Sequence, residues 1–181
     1  MKTNSTSRRS FIKKSTLTAL GISIIPRHVM GKGFIPPSDK LNIAIIGAGG
    51  KGYSDAMNVY NNGASNIAAI CDVDWNSASR AFSFFPNAKK FKDYRILLDE
   101  MKDIDAITVS TPDHTHAVIT LAAMQLNKHV YVQKPLTHNI HEARVLTEAA
   151  NKYQIVTQMG NQGASGQGVQ TMINWFNSGM I

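Results

Sequence analysis

Three glycines, Gly47, Gly49 and Gly52, follow a run of apolar residues at 43–46 with the spacing G-x-G-x-x-G. In a dinucleotide-binding turn the first glycine makes a tight turn, the second lets the backbone approach the pyrophosphate, and the third lets the next helix pack close to the strand. The phosphates then lie at the positive N-terminal end of that helix. The residues of this turn predicted to contact a cofactor are Gly47, Gly49, Gly50, Lys51 and Gly52.

An acidic residue, Asp72, follows the next predicted strand at 66–71 and lies 20 residues after Gly52. A carboxylate at this position can accept hydrogen bonds from the ribose hydroxyls of adenosine. It would also repel a 2′-phosphate, so the sequence favours NAD over NADP. NADP stays possible, because Asn76 and Arg80 lie just downstream and could rearrange the pocket. A glycine turn can end a strand for structural reasons alone, but the order of strand, glycines, helix and acid favours cofactor binding.

Predicted strands alternate with predicted helices from Leu41 onward. The strands are expected at 43–46, 66–71, 104–110, 130–133 and 155–159, and the helices at 52–61, 77–85, 94–100, 115–126, 140–153 and 169–177. This alternation predicts an α/β fold, a Rossmann-type doubly wound parallel sheet. Met180 and Ile181 could begin a further strand.

The composition, 43% hydrophobic and 17% charged over 181 residues, is typical of a soluble globular protein with one core. The net charge of +7 comes from residues 1–33, which hold seven basic and no acidic side chains; the rest balances 12 basic with 12 acidic residues. Without a basic stripe on the folded part, nucleic acid is excluded as an expected partner. Cys71 is the only cysteine, so no intrachain disulfide can form.

The basic leader contains Arg8 and Arg9, followed by an aromatic residue and a lysine, and then a modest apolar stretch at 17–25. This pattern resembles the twin-arginine export signal, and the apolar stretch is too short to span a bilayer comfortably. We therefore expect a leader at 1–33, a linker at 34–40 and export to the periplasm by the twin-arginine translocase. A disordered basic tail is the alternative, and whether the leader is cleaved or kept as an anchor stays open.

Two further segments, STPDHTH at 110–116 and KHVYVQKP at 128–135, together with GAGGKG and CDVD, resemble the glucose-fructose oxidoreductase and inositol dehydrogenase family (Gfo/Idh/MocA). The likeness covers 41–179 and is greatest to exported members of the Bacteroidetes type. It implies an NAD(P)-binding Rossmann domain at 41–160, followed by a second α/β domain that binds substrate and assembles homo-oligomers. Residues 161–181 would be only the start of that domain, so we expect the chain to be a fragment.

The resemblance implies an NAD(P)-dependent oxidoreductase that transfers a hydride between a sugar or polyol hydroxyl carbon and a tightly bound nicotinamide cofactor. Some relatives instead use a transient oxidation to cleave a glycosidic bond without net redox change. A non-catalytic dinucleotide-binding protein is the third possibility. The acid and histidine that serve as base in the family belong to the second domain, so the fragment alone is expected to be inactive.

The family motif E-K-P aligns with Gln133, Lys134 and Pro135, so the acid is replaced by an amide. The resemblance implies that Lys134 is catalytic and reaches the substrate hydroxyl and the nicotinamide. Glutamine keeps the hydrogen-bonding capacity but loses the titratable charge, which favours the non-catalytic alternative. The residues that the resemblance further assigns to the cofactor are Ser110, Thr111, Pro112, His116, Gln133 and Lys134.

Asn161 and Gln162 follow the predicted strand at 155–159 and are weaker candidates for substrate binding. His114 and His116, two positions apart, could be metal ligands, but no cluster of cysteines or carboxylates accompanies them. We therefore expect no metal site. His116 is instead expected to cap or orient the following helix beside the cofactor, with His114 exposed.

Overall fold

The computed structural model describes residues 39–181. The predicted leader at 1–33 and most of the predicted linker at 34–40 lie outside this range. The strands are β1 Asn42–Ile46, β2 Asn66–Cys71, β3 Lys89–Phe91, β4 Ala106–Val109, β5 His129–Gln133 and β6 Thr157–Gly160. The α-helices are α1 Lys51–Tyr60, α2 Ser79–Phe84, α3 Tyr94–Glu100, α4 His116–Gln125, α5 Ile140–Tyr153 and α6 Gln167–Asn177.

The six strands form one parallel sheet in the order β3-β2-β1-β4-β5-β6. This order confirms the predicted Rossmann-type doubly wound sheet. The chain leaves β1 toward β2 on one side and later continues at β4 on the other side, so the strand order reverses between β1 and β4. Ligands of open α/β sheets bind outside the carboxyl ends of the strands at this switch point.

Strand β1 is buried on both faces, as its continuous apolar sequence predicts. Ile43 and Ile45 belong to a core cluster that includes residues of α1 and α2. Ala44 and Ile46 belong to a second cluster, which includes residues of α3, α4 and α5. The helices therefore cover the sheet from both sides and hold its carboxyl edge in place.

Several sequence predictions differ from the structure in detail. Strand β3 was not expected, and Met180 and Ile181 form no strand. The strands predicted at 104–110 and 155–159 are Ala106–Val109 and Thr157–Gly160, so Ser110 already belongs to the loop after β4. Between residues 39 and 181, no helix is both long and apolar enough to cross a membrane. The assignment of 161–181 to a second domain stays a prediction.

Candidate functional site

The glycine turn between β1 and α1 has no room for a side chain at Gly47 or Gly52. A Cβ atom at Gly52 would lie 1.9 Å from the carbonyl oxygen of Gly47, and one at Gly47, where φ is +80°, would lie 2.6 Å from the carbonyl oxygen of Ser110. The turn therefore packs tightly between α1 and the end of β4. No side chain caps the N-terminus of α1 among the residues described. Its first N–H groups can consequently serve an anion.

Asp72, at the end of β2, is hydrogen-bonded to the glycine turn. Its Oδ2 accepts from the backbone N–H of Ala48 over 2.7 Å and from that of Gly49 over 3.2 Å, while Oδ1 accepts from the N–H of Asp74 over 2.9 Å. A carboxylate has about four acceptor positions, so these three bonds leave it able to accept another donor. Asp72 thus holds the turn and still faces the space where a ribose would bind.

A cavity of about 640 Å³ opens at the switch point of the sheet. Its volume falls within the range of roughly 300–1,000 Å³ that small-molecule and cofactor sites occupy. The predicted site residues that line the cavity are Gly47, Gly49, Gly50, Asp72, Ser110, Thr111 and Pro112. Ser77, Lys92 and Tyr94 line it as well. No local motif marks these three residues, because the fold brings them to the cavity from two separate segments, one between β2 and α2 and one from the end of β3 to the start of α3.

Lys92 brings a cation to the side of the cavity that Asp72 occupies. Its Nζ lies 5.4 Å from the ring centroid of Trp75. Arg80, which the sequence suggested as a residue able to rearrange the pocket, stacks on Tyr53 with its Cζ 4.2 Å from the ring centroid and does not line the cavity. Lys92 is therefore better placed than Arg80 to face a 2′-phosphate.

Asp55, on α1, is a buried carboxylate that the sequence analysis did not single out. It is 2% exposed and forms an ion pair with Lys51 through Oδ1. Its Oδ2 accepts from Ser110 Oγ over 2.8 Å and from Gln133 Nε2 over 2.8 Å. Three predicted site residues from α1, β5 and the β4 loop thus converge on one carboxylate.

Gln133, 5% exposed, connects Asp55 to the loop after β6. Its Oε1 accepts from Gln162 Nε2 over 2.8 Å. In the opposite orientation of the Gln162 amide, its nitrogen would lie 3.1 Å from Gly160 O, and its oxygen would lie 3.2 Å from Lys51 Nζ, 3.1 Å from Gln133 Nε2 and 2.8 Å from Gln133 Oε1. Because the Asp55 carboxylate can only accept, it fixes the NH₂ group of Gln133, and either orientation keeps Gln162 in contact with the Gln133 amide. We call Lys51, Asp55, Ser110, Gln133 and Gln162 the Asp55 cluster.

His116 is buried rather than lining the cavity. It is 1% exposed, and its Nδ1 and Nε2 lie 2.6 Å and 2.8 Å from the carbonyl oxygens of Pro135 and Thr111. The ring therefore bridges the loops that follow β5 and β4. Its place at the first residue of α4 fits the expected orienting role, and His114 is exposed as predicted.

Lys134 and Asn161 stand on exposed loops at the carboxyl edge of the sheet. Lys134 follows the last residue of β5, and its peptide bond to Pro135 is cis. Asn161 follows β6, and its backbone N–H donates to Met159 O over 3.0 Å. The structure thus places most of the predicted residues in two groups: those that line the cavity, and those at or beside the Asp55 cluster. Gly52 and His116 belong to neither group.

Cys71 lines the cavity from the end of β2 and is 4% exposed. Burial, together with the nearby negative charges of Asp72 and Asp93, raises the pKa of its thiol from 9.0 to about 12. A thiol of this kind is a poor nucleophile at neutral pH. Within 39–181, no group of three or more His, Cys, Asp or Glu side chains is arranged to hold a metal ion.

The site fits a dinucleotide. The turn leaves no space for a side chain at Gly47 or Gly52, the N-terminus of α1 carries no side-chain cap, and Asp72 stands where a ribose hydroxyl would donate. Fold and site together define a dinucleotide-binding Rossmann domain.

A family model described as oxidoreductase family, NAD-binding Rossmann fold (Gfo/Idh/MocA) matches residues 41–161, and the chain belongs to this family. The resemblance stated from the sequence motifs is thereby confirmed. Binding of a nicotinamide dinucleotide follows from the family and agrees with the predicted cofactor.

The chain spans less than half the length of the known proteins it is compared with here. A glycosyl hydrolase family 109 protein 1 from Shewanella sp. (strain MR-4) is 27% identical over 172 residues, which cover 81% of this chain and 37% of the relative. Myo-inositol 2-dehydrogenase from Lactobacillus plantarum superposes with a TM-score of 0.71 at 24% identity, covering 78% of this chain and 42% of that one. A 3-ketoreductase from Actinomadura kijaniata in complex with TDP-benzene and NADP gives 0.69 at 23% identity, covering 78% and 45%.

Proposed function

We propose that the protein transfers a hydride between a hydroxyl carbon of a sugar or polyol and the nicotinamide of a tightly bound NAD. The observation that carries this proposal is the cavity at the switch point, which the glycine turn, Asp72 and the loop after β4 line together. The family match supports the redox class. Because the chain spans only 37% of the curated relative, substrate and turnover are proposed for the whole protein.

Each group of residues has a separate task in this proposal. The glycine turn and the N-terminus of α1 bind the pyrophosphate, and Asp72 accepts from the adenosine ribose. Ser110, Thr111 and Pro112 hold the cofactor against the ends of β1 and β4. The bound nicotinamide supplies the hydride acceptor. Lys134 binds the substrate hydroxyl and exchanges its proton, while Asn161 and Gln162 approach the substrate from the loop after β6.

NAD is the proposed cofactor in preference to NADP. The carboxylate of Asp72 lines the cavity and would repel a 2′-phosphate. Lys92 lines the same cavity, and its positive charge attracts a 2′-phosphate. We therefore expect NADP to bind more weakly than NAD and not to be excluded. A similar 3-ketoreductase was crystallised with NADP, which is compatible with a family that uses both nucleotides.

The proposal includes export by the twin-arginine translocase. Its support is the paired Arg8 and Arg9 and the apolar stretch that follows, all in residues outside the described range. Proteins exported folded can carry a cofactor loaded in the cytoplasm. The cofactor would then have to be regenerated in place, by a second substrate or by a redox-neutral cycle.

Redox-neutral cleavage of a glycoside is the second candidate function. The observation that favours it is the similarity to a glycosyl hydrolase family 109 protein. In such a cycle NAD first oxidises the sugar and later returns the hydride, so no cofactor is consumed. Replacement of the motif acid by Gln133 favours a third candidate, a dinucleotide-binding protein without turnover.

Purification of the full-length protein tests these candidates directly. Absorbance near 340 nm and mass spectrometry of the released nucleotide reveal a bound nicotinamide, and a protein without affinity for NAD(H) refutes the proposal. Incubation with free sugars, polyols and aryl glycosides then separates net oxidation from glycoside cleavage by the products formed. Retained NAD without any product supports the binding protein.

Lys134→Ala tests the proposed catalytic residue. We expect turnover to be abolished while the NADH dissociation constant changes by less than about threefold, because Lys134 does not line the cavity. Lys152→Ala, an exposed lysine on α5, is the matched control and should behave like the wild type. Unchanged turnover in Lys134→Ala rejects the assigned role.

A further inference from the structure

We infer that Asp55 is a positioning residue. By accepting hydrogen bonds from Gln133 and Ser110, it fixes the loop that carries Lys134. The effect of this positioning on turnover rests on the proposed function. Asp55 lies in the middle of α1, and Gln133 is the last residue of β5, directly before Lys134. The contact joins residues 78 positions apart in the sequence.

Because Asp55 is buried, its charge requires partners inside the protein. An ionised carboxylate removed from water is costly unless it is paired and hydrogen-bonded. Asp55 has all the required partners: the ammonium group of Lys51, the hydroxyl of Ser110 and the amide of Gln133. The carboxylate therefore joins α1, the loop after β4 and the end of β5 in one arrangement.

The charges in the Asp55 cluster also determine which residue fits at position 133. Gln133 donates to Asp55 with its NH₂ group and accepts from Gln162 with its oxygen. A glutamate at this position would bring a second carboxylate within about 2.8 Å of Asp55. Two carboxylates at that distance cannot both be ionised without a large cost. Glutamine at position 133 and aspartate at position 55 are thus a matched pair.

The carboxylate and the amide of this pair can exchange positions. In an Asp55→Asn, Gln133→Glu double variant, the new amide at position 55 would donate to the new carboxylate at position 133. The other oxygen of that carboxylate could still accept from Gln162 Nε2, which lies 2.8 Å from the present Gln133 oxygen. The cluster would again contain one carboxylate, so the double variant should recover what each single variant loses.

Hydrogen exchange of the full-length protein tests the inference without substrate or cofactor. Mass spectrometry of peptides that cover 129–137, which include the hydrogen-bonded amides of β5 directly before Lys134, is compared for wild type, Asp55→Asn, Gln133→Glu and the double variant. We expect exchange in this segment to rise about tenfold or more in either single variant and to return to within about threefold of wild type in the double variant. Asp99→Asn, which removes an exposed carboxylate paired with Lys102, is the control and should leave the segment unchanged.

Turnover supplies the second readout. Asp55→Asn should lower kcat about tenfold or more at saturating NADH, and the double variant should regain turnover. Unchanged exchange in Asp55→Asn overturns the inference. A double variant in which the effects of the two single substitutions add up overturns it as well. If Asp55→Asn does not fold, Gln133→Leu removes the donor to Asp55 and the acceptor of Gln162 but keeps the carboxylate, and it should still raise exchange; no rise contradicts the role.

A wild-type protein that binds no NADH refutes the proposed function but leaves this test intact. The exchange measurement then decides the role of Asp55 as the residue that fixes 134–137, because it depends on the fold alone.

Discussion

The carboxylate of Asp72 accepts a hydrogen bond from the backbone N–H of Ala48 over 2.7 Å, which ties the end of β2 to the glycine turn after β1. The two segments belong to neighbouring parallel strands, with Ile46 paired to Cys71 immediately before them. The acid therefore has two tasks. It holds the turn in the shape that a pyrophosphate needs, and it offers an acceptor to the ribose beside it.

Substitution of Asp72 by Asn should weaken NAD binding about tenfold, because the amide can accept at one atom only and its NH₂ group would face a backbone donor. NADP should be affected less, since the negative charge that repels its 2′-phosphate is removed while Lys92 stays in the cavity wall. Fluorescence titration with NADH and NADPH measures both effects. Asp74→Asn, at the exposed neighbouring acid, is the control; an unchanged ratio of the two affinities in Asp72→Asn contradicts the assignment.

Gly52→Ala should prevent the turn from forming as observed. The new methyl group would lie 1.9 Å from the carbonyl oxygen of Gly47, and a backbone atom cannot move aside as the end of a flexible side chain can. We expect loss of NADH binding and a free energy of unfolding lower by about 2 kcal/mol or more. Gly168→Ala is the matched control, because a Cβ there meets no atom within 4 Å and α6 should gain helix propensity. Chemical denaturation and NADH titration compare the two; equal behaviour would contradict the packing argument.

His116→Leu should loosen the two loops that the imidazole bridges. The buried ring of His116 contacts the carbonyl oxygens of Thr111 and Pro135, and leucine has no donor for either oxygen. Leaving a buried acceptor unpaired costs about 1–3 kcal/mol, so we expect a clear fall in the melting temperature. NADH affinity should fall too, because Thr111 lines the cavity. His114→Leu changes an exposed neighbour and should leave both quantities near wild type, and a similar loss in both variants would argue against a bridging role.

The sequence predicted the features that depend on residues close together along the chain. Continuous apolar strands, glycine spacing and amphipathic periodicity are local signals, and α3 and α5 have the bounds expected of them. Strand β3 was missed because its three residues, Lys89, Lys90 and Phe91, carry no strand pattern of their own. It forms because it pairs with β2, which is a property of the folded sheet.

Asp55 could not be recognised from the sequence for a related reason. An acid at this position of an amphipathic helix usually faces solvent, and Lys51 four residues earlier suggests an ordinary surface ion pair. Its burial follows from contacts with Ser110 and Gln133, at separations of 55 and 78 residues. The departure of Gln133 from the family motif was the one available signal. It indicated an altered charge in this region but not the residue that carries it.

Cys71 offers a reporter of the cavity because it is the only cysteine in the chain. With its pKa raised from 9.0 to about 12, the thiolate fraction at pH 8 is about a thousandfold lower than that of an ordinary thiol. We expect iodoacetamide to label the native protein at least about a hundredfold more slowly than the protein unfolded in guanidinium, and NADH to slow labelling further. Mass spectrometry follows the adduct; native labelling as fast as in the unfolded chain would contradict the burial of Cys71.

The same raised pKa predicts a dependence of stability on pH. The unfolded thiol loses its proton near pH 9, whereas the folded thiol keeps it until about pH 12, so the unfolded state is favoured increasingly as the pH rises above 9. Cys71→Ala lacks this contribution. The difference in the free energy of unfolding between wild type and Cys71→Ala should therefore be constant below pH 8 and should move in favour of the variant between pH 9 and 11. Guanidinium titrations at these pH values measure it, and a difference that stays constant to pH 11 would show that the thiol titrates alike in both states.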